Sequence, residues 1–300
     1  MNAPAMPTAA TLPLSAGDGP AAAVLRRLCD PRPEIRPSAS ASVPLGAVLE
    51  AAIDAKLVCL LAHRLLGGPP DASLSRPMRS VLGQIVRANT LHNRLHRGEA
   101  VRIVRTLTGR GVPAAVLNGL AYDTALYPPG GLRQFTDIDL LVGAADQDTA
   151  LDVLAELGFT EQGRSPHTRR RTTGDALMPT VSADITTHLG HTADPAEVRA
   201  ALARTETAHG PDADGKLPVL ARADALRHTL ARLATRPRWS TLADAARLAL
   251  AAPDSSREAV AAVPEPLRAG WAELHSHLPD LVPGPPPVTT GGPGREEVAR

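Results

Sequence analysis

Two aspartates, one residue apart, precede a short apolar run and could together bind a metal ion. Asp137 and Asp139 lead directly into apolar residues 140–142, a pattern typical of a strand that enters a hydrophobic core. Side chains at positions i and i+2 of a strand point to the same face, so both carboxylates would converge at its exposed end. Oxygen ligands of this kind suit Mg²⁺. Aspartate is also common in turns, where one carboxylate caps an amide and the other is solvated, and the pair alone leaves both interpretations open.

A third aspartate and a glycine turn lie on either side of this pair. Residues 181–187 alternate between apolar and polar types, as in a half-buried strand, and include Asp184. Upstream, residues 112–117 are typical of a strand, and Asn118 and Gly119 separate them from a helical pattern. The first amides and the dipole of a helix attract anions, so this turn predicts an anion-binding position beside the acids.

The rest of the chain predicts mostly helices around this segment. Apolar residues recur at spacings of three and four in residues 45–66 and 74–107, which indicates helices that face a core. Asp146 and Asp194 are placed to cap two further helices, and Gly158 is placed to end one. The shorter helical segments are residues 120–127, 146–157, 195 onward, 222–234 and 242–251, the last two as an antiparallel pair.

These patterns divide the chain into five predicted regions and place it in the α+β class. The short strands fall in the middle region, which is therefore the candidate catalytic core. The regions are a mostly flexible segment (residues 1–43), a helical region (44–110), the core (111–192), a C-terminal helical region (193–280) and a flexible tail (281–300).

Composition limits the partners and the compartment. The formal net charge is +1, from 32 basic and 31 acidic residues, so no overall positive field favours nucleic acid. All the basic residues except Lys56 and Lys216 are arginines. The N-terminus lacks a basic segment followed by a continuous apolar one, and no apolar run approaches the ~18 residues of a membrane span. We expect a soluble cytoplasmic protein with no membrane partner.

Two other residue pairs could bind a metal or form a disulfide. His92 and His96 have the i, i+4 spacing that can bind zinc on a helix. Asn93 occupies the position where a zinc protease needs glutamate, so we expect structural histidines. Cys29 and Cys59 are the only cysteines, and Cys59 lies in an apolar run, so we expect buried, reduced thiols.

The order of these features resembles the nucleotidyltransferase superfamily of DNA polymerase β type, which has a glycine turn, an Asp-x-Asp strand and a third acid on a later strand. More narrowly, the chain resembles a poorly characterised bacterial nucleotidyltransferase-like family across residues 44–250. Its members read Leu-Lys-Gly, Tyr-Pro, Arg, Asp-Ile-Asp-Leu-Leu-Val and Leu-Gly-Phe or Leu-Gly-Tyr, in that order. The matching residues are Leu117, Asn118 and Gly119; Tyr127 and Pro128; Arg133; residues 137–142; Leu157, Gly158 and Phe159; and, in the helical flank, His228, Trp239, Leu242 and Asp244.

The resemblance implies a polymerase-β-like core, a small mixed sheet with helices, flanked by N- and C-terminal helical regions. It also implies a Mg²⁺-dependent reaction that moves a nucleoside monophosphate from an NTP, most simply ATP, onto a small-molecule or protein acceptor. Asp137 and Asp139 would hold the metal ions against the triphosphate. Asp184 would ligate the metal on the acceptor side and accept the acceptor's proton. Gly119 would let the backbone approach the β- and γ-phosphates.

Two positions depart from the family pattern. Asn118 stands where the family has lysine, so a cation that could bind a phosphate is missing. Thr186 stands where the family has a histidine two residues after the third acid, and His188 follows two residues later. The residues that we expect to contact the nucleotide are Asn118, Gly119, Arg133, Arg169, Arg171 and His188.

The arginines of this set have a second interpretation. Arg133 would either neutralise the triphosphate or be solvated beside its turn. Arg169 and Arg171 would share one face of a strand, and would either point towards the site or belong to a solvated edge strand. His188 would contact substrate or metal.

Three functions from different classes are compatible with the sequence. The preferred one is the nucleotidyltransferase acting on a small molecule or protein. The second is a toxin-like enzyme that modifies tRNA ends, which the neutral charge and the absence of a basic, aromatic-rich stretch do not favour. The third is a non-catalytic nucleotide-binding or interaction protein with a degenerate site, which the missing lysine at Asn118 leaves open.

Overall fold

The computed structural model describes residues 14, 19–32, 43–67, 74–161, 165–176, 178–208, 216–251 and 265–284. These residues form one seven-stranded mixed sheet with α-helices around it, which confirms the predicted α+β class. The strands are β1 (Ala114–Val116), β2 (Asp137–Val142), β3 (Thr160–Glu161), β4 (Thr168–Thr172), β5 (Thr180–Thr186), β6 (Glu206–Ala208) and β7 (Leu217–Val219).

The helices before the first strand are α1 (Pro20–Cys29), α2 (Leu45–Asp54), α3 (Val58–Gly67) and α4 (Arg76–Gly109). Those that follow are α5 (Asn118–Leu126), α6 (Gln147–Glu156), α7 (Pro195–Ala203), α8 (Arg222–Thr235), α9 (Trp239–Ala251) and α10 (Glu265–His277).

Strand β2 lies at the centre of the sheet, in the order β3-β4-β5-β2-β1-β7-β6. Its apolar half, Leu140, Leu141 and Val142, is fully buried, while Asp137 and Asp139 at its start are half-buried. It pairs in parallel with β5 and antiparallel with β1. The parallel pairing brings residues 182–184 of β5 beside residues 137–139 at the start of β2, as a common acidic site requires.

The predicted helical segment 45–66 is interrupted, and the interruption lies beside the acidic strands. Helix α2 ends and α3 begins around Lys56, whose φ of 57° is left-handed and cannot continue a helix. The N–H of Val58, at the start of α3, donates to Oε1 of Gln134 at 3.1 Å. This hydrogen bond ties the turn that carries Lys56 to the loop that precedes β2.

That loop, between α5 and β2, is fixed by buried polar groups. The Asp123 carboxylate accepts the backbone N–H groups of Gly131 and Arg133 at 3.0 and 3.2 Å. The Asn93 amide donates to the Arg133 carbonyl at 2.9 Å. Gly131 has φ of 78°, and a Cβ there would overlap Thr90 of helix α4, so only glycine fits. The loop therefore presents the start of β2 in one defined position.

Several local predictions can be compared with the structure. Asp194 caps α7 as predicted, accepting the N–H of Ala196 at 2.9 Å. Gly158, with φ of 84°, follows α6 as predicted. Asp146 precedes α6, but its side chain makes no capping hydrogen bond, so that prediction was wrong. Cys29 and Cys59 are buried free thiols, as expected.

In the part of the chain that the structure describes, no helix combines the length and apolar character needed to cross a membrane. The predicted flexible tail lies outside the described residues from 285 onward, and most of the predicted flexible segment 1–43 does so too. The predicted region boundaries remain predictions.

Candidate functional site

The three aspartates predicted from the sequence meet at one point. Asp139 on β2 lies directly opposite Asp184 on β5, and Asp137 lies opposite Ser182. Because Asp137 and Asp139 are two residues apart on one strand, they project from the same face of the sheet as Asp184. One oxygen from each carboxylate lies within 4.8 Å of the others. Among the described residues, this is the only cluster of three potential metal ligands of its kind.

The electrostatics of this cluster fit a divalent cation. Burial, followed by the charge of Asp137, raises the pKa of Asp139 to about 6 from an ordinary value of 3.8. Burial also raises the pKa of Asp184, although the Thr168 hydroxyl opposes this rise. Oδ1 of Asp184 is buried and has no hydrogen-bond partner among the described residues. A buried acceptor without a donor is costly, and a bound cation would satisfy it.

Asn118, which replaces the family's lysine, is bonded to the acidic cluster. Its side-chain amide donates to Oδ2 of Asp139 at 2.5 Å. Its backbone has a left-handed φ of 55°, which asparagine tolerates better than most residues. Asn118 therefore orients Asp139 by a neutral hydrogen bond, in place of a cation.

His228 fixes Asn118 in turn. The N–H of Gly190 donates to Nδ1 of His228 at 2.9 Å, so the ring proton is on Nε2, which lies 3.2 Å from Oδ1 of Asn118. Burial, together with the charge of Arg232, lowers the pKa of His228 to about 3, which keeps the ring neutral. The sequence placed His228 only in the helical flank. Its contact with Asn118 joins residues 110 positions apart, which no local pattern reveals.

Gly119 lies in the first turn of α5 and lines the cavity in front of the acids. A Cβ at this position would lie 2.7 Å from Cβ of Phe135. The missing side chain therefore lets α5 pack against the residue that leads into β2. Its predicted approach to a phosphate stays a prediction, and the packing contact is a separate reason for glycine.

Arg133 lines the same cavity, but its donors are occupied. Its Nε and Nη2 bind the Asp244 carboxylate at 2.8 to 3.1 Å, and its Nη1 donates to the Gln134 carbonyl. The Tyr127 hydroxyl donates to the same carboxylate at 2.6 Å. The pair is buried. These bonds favour a role in joining the loop before β2 to helix α9, and the predicted triphosphate contact remains a prediction.

Of the other residues predicted to contact the nucleotide, one lines the cavity and two do not. Arg169 and Arg171 lie two residues apart on β4, as predicted, but neither lines the cavity. Arg171 forms an ion pair with Glu99 at 2.5 Å, and Arg169 donates to the Pro166 carbonyl at 2.6 Å. His188 is exposed and does line the cavity, with Nδ1 3.2 Å from the Thr186 hydroxyl.

The cavity also contains four cations that the sequence reasoning missed. It has a volume of about 550 Å³ and is lined by the three acids together with Asn118, Gly119 and His188. Its cations other than Arg133, which we call the basic wall, are Lys56, Arg232, Arg236 and Arg238. The available signals were the scarcity of lysine and the arginines on both sides of Pro237, but nothing in the sequence linked either to the acids.

His92 and His96 do not form a metal site with a third ligand in the described residues. Nδ1 of His96 lies 3.1 Å from the His92 carbonyl, and Nε2 of His92 lies 3.3 Å from the Phe135 carbonyl. The two rings lie near the Phe135 ring, with centroid distances of 6.5 and 5.6 Å. They pack behind the loop that precedes β2, as expected for structural histidines.

Comparison with known proteins identifies the family. Residues 42–272 match the model of a family described as uncharacterised nucleotidyltransferase. The chain belongs to this family. The assignment confirms the predicted enzyme class, a nucleotidyltransferase. No curated protein gives a significant match to this nucleotidyltransferase.

Two solved structures are similar to this family member at low sequence identity. One is the crystal structure of an antigenic nucleotidyltransferase-like protein from Paracoccidioides brasiliensis, with 14% identity, a TM-score of 0.46, and coverage of 62% of this chain and 89% of that one. The other is the solution structure of the antibiotic-resistance factor ANT(2'')-Ia, with 14% identity, a TM-score of 0.39, and coverage of 65% of this chain and 95% of that one.

Proposed function

We propose that this nucleotidyltransferase uses Mg²⁺ to transfer a nucleoside monophosphate from an NTP, most simply ATP, to a small-molecule or protein acceptor. The observation that carries the proposal is the convergence of Asp137, Asp139 and Asp184 within 4.8 Å, in a chain of this family. The accepting group would be a hydroxyl, an amine or a phosphate, each of which can attack the α-phosphorus of an NTP.

The three carboxylates are the residues that would hold the metal. Asp137 and Asp139 offer oxygens from one strand, and Asp184 offers the buried Oδ1 that has no protein donor. Hard oxygen donors of this type select Mg²⁺ over softer metals. When bound, the metal would stabilise the negative charge that develops on the attacking and leaving oxygens of an in-line displacement.

The protein's own groups position the reactants and move one proton. The acceptor atom forms a bond to the α-phosphorus, the bond from that phosphorus to the bridging oxygen of the β-phosphate breaks, and pyrophosphate leaves. Asp184 takes the proton of the acceptor and passes it to solvent. Asn118, held by His228, keeps Asp139 in one orientation. Asp139 is thus arranged before the nucleotide arrives, which lowers the reorganisation needed during reaction.

The cavity favours a small acceptor or a side chain over a long nucleic acid. Its volume of about 550 Å³ lies within the ~300–1,000 Å³ range of small-molecule sites. The formal charge of +1 provides no extended field for a phosphate backbone. The acceptor and the preferred base are therefore questions for direct assay.

The test is incubation of the protein with each of the four α-labelled NTPs, Mg²⁺, and pools of small molecules and proteins. We expect the label to appear on an acceptor, with pyrophosphate released in equal amount. Asp137→Asn and Asp139→Asn should each lose this activity while remaining folded, because both acids are half-buried at the start of β2, and the substitution removes a charge and leaves the side chain's size unchanged. Near-wild-type turnover by either folded variant would disprove the metal site. Failure of wild type to bind any NTP would favour the interaction-protein alternative.

A further inference from the structure

The basic wall brings together cations from two distant parts of the chain. Lys56 comes from the turn between α2 and α3, Arg232 from the last turn of α8, and Arg236 and Arg238 from the connection between α8 and α9. All four line the cavity that holds the three carboxylates. Arg232 and Lys56 are half-buried, whereas Arg236 and Arg238 are exposed.

Among the residues that the structure describes, these cations have no carboxylate partners. Within the described ranges, none of the basic-wall side chains forms an ion pair, whereas the nearby Arg133 pairs with Asp244 and Arg204 pairs with Asp224. Those two arginines are thus neutralised by carboxylates of the protein itself. The positive charge of the basic wall is therefore available to an anionic ligand.

The charges of the basic wall and of the acids interact. The charge of Arg232 lowers the pKa of Asp139, and the charge of Asp137 raises the pKa of Lys56. Burial, and then the charges of Arg133 and Arg238, lower the pKa of Lys56, so the cations also repel one another. A bound polyanion would relieve this repulsion.

Lys56 carries a second sign of a ligand-binding role. Its left-handed φ of 57° is a backbone conformation that is unfavourable for lysine. The N–H of Val58, two residues after Lys56, donates to the Gln134 side chain. This hydrogen bond ties the strained turn to the loop that precedes β2. The chain has only two lysines, and one of them is held in this conformation at the cavity.

We infer that the basic wall binds the β- and γ-phosphates of the NTP, while the acids and their metal hold the α-phosphate. This inference rests on the proposed function, and it moves the phosphate contacts from the turn at Gly119 to the two helical regions. A triphosphate matches the wall in charge, and the cavity has the size of a small-ligand site. It also follows that the pyrophosphate product leaves from the wall.

The test uses inorganic tripolyphosphate as the probe, because it has the phosphate chain but neither base nor reactive sugar. Calorimetric titration without Mg²⁺ should show binding to wild type that weakens as salt is added. The variant R236Q/R238Q should bind about tenfold or more weakly, and Lys56→Gln should weaken binding by a similar factor. Arg236 and Arg238 are exposed, so the double variant should fold normally.

Matched controls come from cations outside the cavity. Arg199 on α7 and Lys216 before β7 are both exposed, so R199Q and K216Q remove the same charges elsewhere. Both should bind tripolyphosphate within about twofold of wild type. This comparison separates a local contact from an effect of net charge.

The same titrations in an Asp137→Asn background distinguish this inference from the proposed reaction. Asp137→Asn should still bind tripolyphosphate, and adding R236Q/R238Q should weaken that binding about tenfold or more, even if no nucleotidyl transfer is found. Unchanged binding by both R236Q/R238Q and Lys56→Gln would overturn the inference. The inference would also be overturned if a short single-stranded RNA bound more tightly than tripolyphosphate, and if R236Q/R238Q and Lys56→Gln abolished that RNA binding.

Discussion

Arg133 and Asp244, which are 111 residues apart, form a buried ion pair with nitrogen-oxygen distances of 2.8 to 3.1 Å. Arg133 precedes β2, and Asp244 lies on α9. The pair therefore ties the position of the acids to the C-terminal helices. Tyr127 adds a third group to this contact, through its hydroxyl.

The first prediction is that Arg133→Met destabilises the protein strongly. It leaves the Asp244 carboxylate buried with only the Tyr127 hydroxyl as a partner, and such losses cost about 3–5 kcal/mol. Urea unfolding followed by far-UV circular dichroism measures this change. The double variant R133M/D244L should recover part of the loss, because no unpaired charge remains. A fully stable Arg133→Met protein with weakened NTP binding would instead support the triphosphate contact predicted from the sequence.

The second prediction concerns Asp139 in the metal-free protein. Since its folded pKa is raised to about 6 from 3.8, its favourable contribution to stability is present below pH 3.8 and is lost as the pH rises through 6. At pH 8 the ionised carboxylate therefore costs on the order of 2–3 kcal/mol relative to a neutral group. Asp139→Asn should accordingly be more stable than wild type at pH 8, with a smaller difference near pH 4.

The measurement is urea unfolding at both pH values, with EDTA and then with Mg²⁺ in excess. Mg²⁺ should stabilise wild type more than the variant, because binding to the folded state raises the free energy of unfolding. If the metal-free wild type were more stable than Asp139→Asn at pH 8, ionisation of Asp139 would not destabilise the folded protein, and the prediction would be wrong.

The third prediction is that Asp184 serves chemistry more than nucleotide binding. As the proposed acceptor-side ligand and proton acceptor, it acts mainly in the transition state. Asp184→Asn should then lower kcat by about 100-fold or more, with little change in the Kd for the NTP. Single-turnover kinetics and equilibrium titration measure the two quantities separately. Lost NTP binding with an unchanged kcat would assign Asp184 to the nucleotide side.

The fourth prediction concerns the asparagine that replaces the family's lysine. Asn118→Lys adds a cation to the cavity that the basic wall lines, so NTP binding should be preserved or tightened. The lysine would also reach Asp139, which now accepts from Asn118, so the affinity for Mn²⁺ alone should fall. Calorimetric titrations with Mg-ATP and Mg-GTP measure NTP binding, and a titration with Mn²⁺ alone measures metal binding. Tighter Mn²⁺ binding by the variant would contradict the proposed hydrogen-bonding role of Asn118.

The sequence predicted the acids because their geometry is local. The spacing of Asp137 and Asp139 sets their common face, and the alternation around Asp184 sets its face on a second strand. Only the pairing of the two strands had to be supplied by resemblance. Helix α7 and its cap at Asp194 were likewise predictable, because capping involves residues close in sequence.

The rest of the site depends on contacts between distant residues, which no local pattern encodes. Arg133 looked like a phosphate ligand because its partner, Asp244, lies on a helix predicted only by its periodicity. The basic wall was missed because Lys56 and Arg232 come from distant parts of the chain. The break at Lys56 was missed as well, because apolar periodicity continues across it while the backbone leaves the helical conformation.

Because the acids meet only in the native register of β2 against β5, metal binding would indicate that these two strands have paired correctly. Asp139 faces Asp184 only because the strands align as they do, and a slip of one residue would put Ala183 or Ile185 opposite it. Side chains alternate between the two faces of a strand, so that slip would also send the Asp184 carboxylate to the opposite face. A chain that collapsed with the wrong alignment could keep its helices and its apolar core but would have no ion site. Mn²⁺ binding during refolding would thus mark the moment at which the sheet reaches its native alignment.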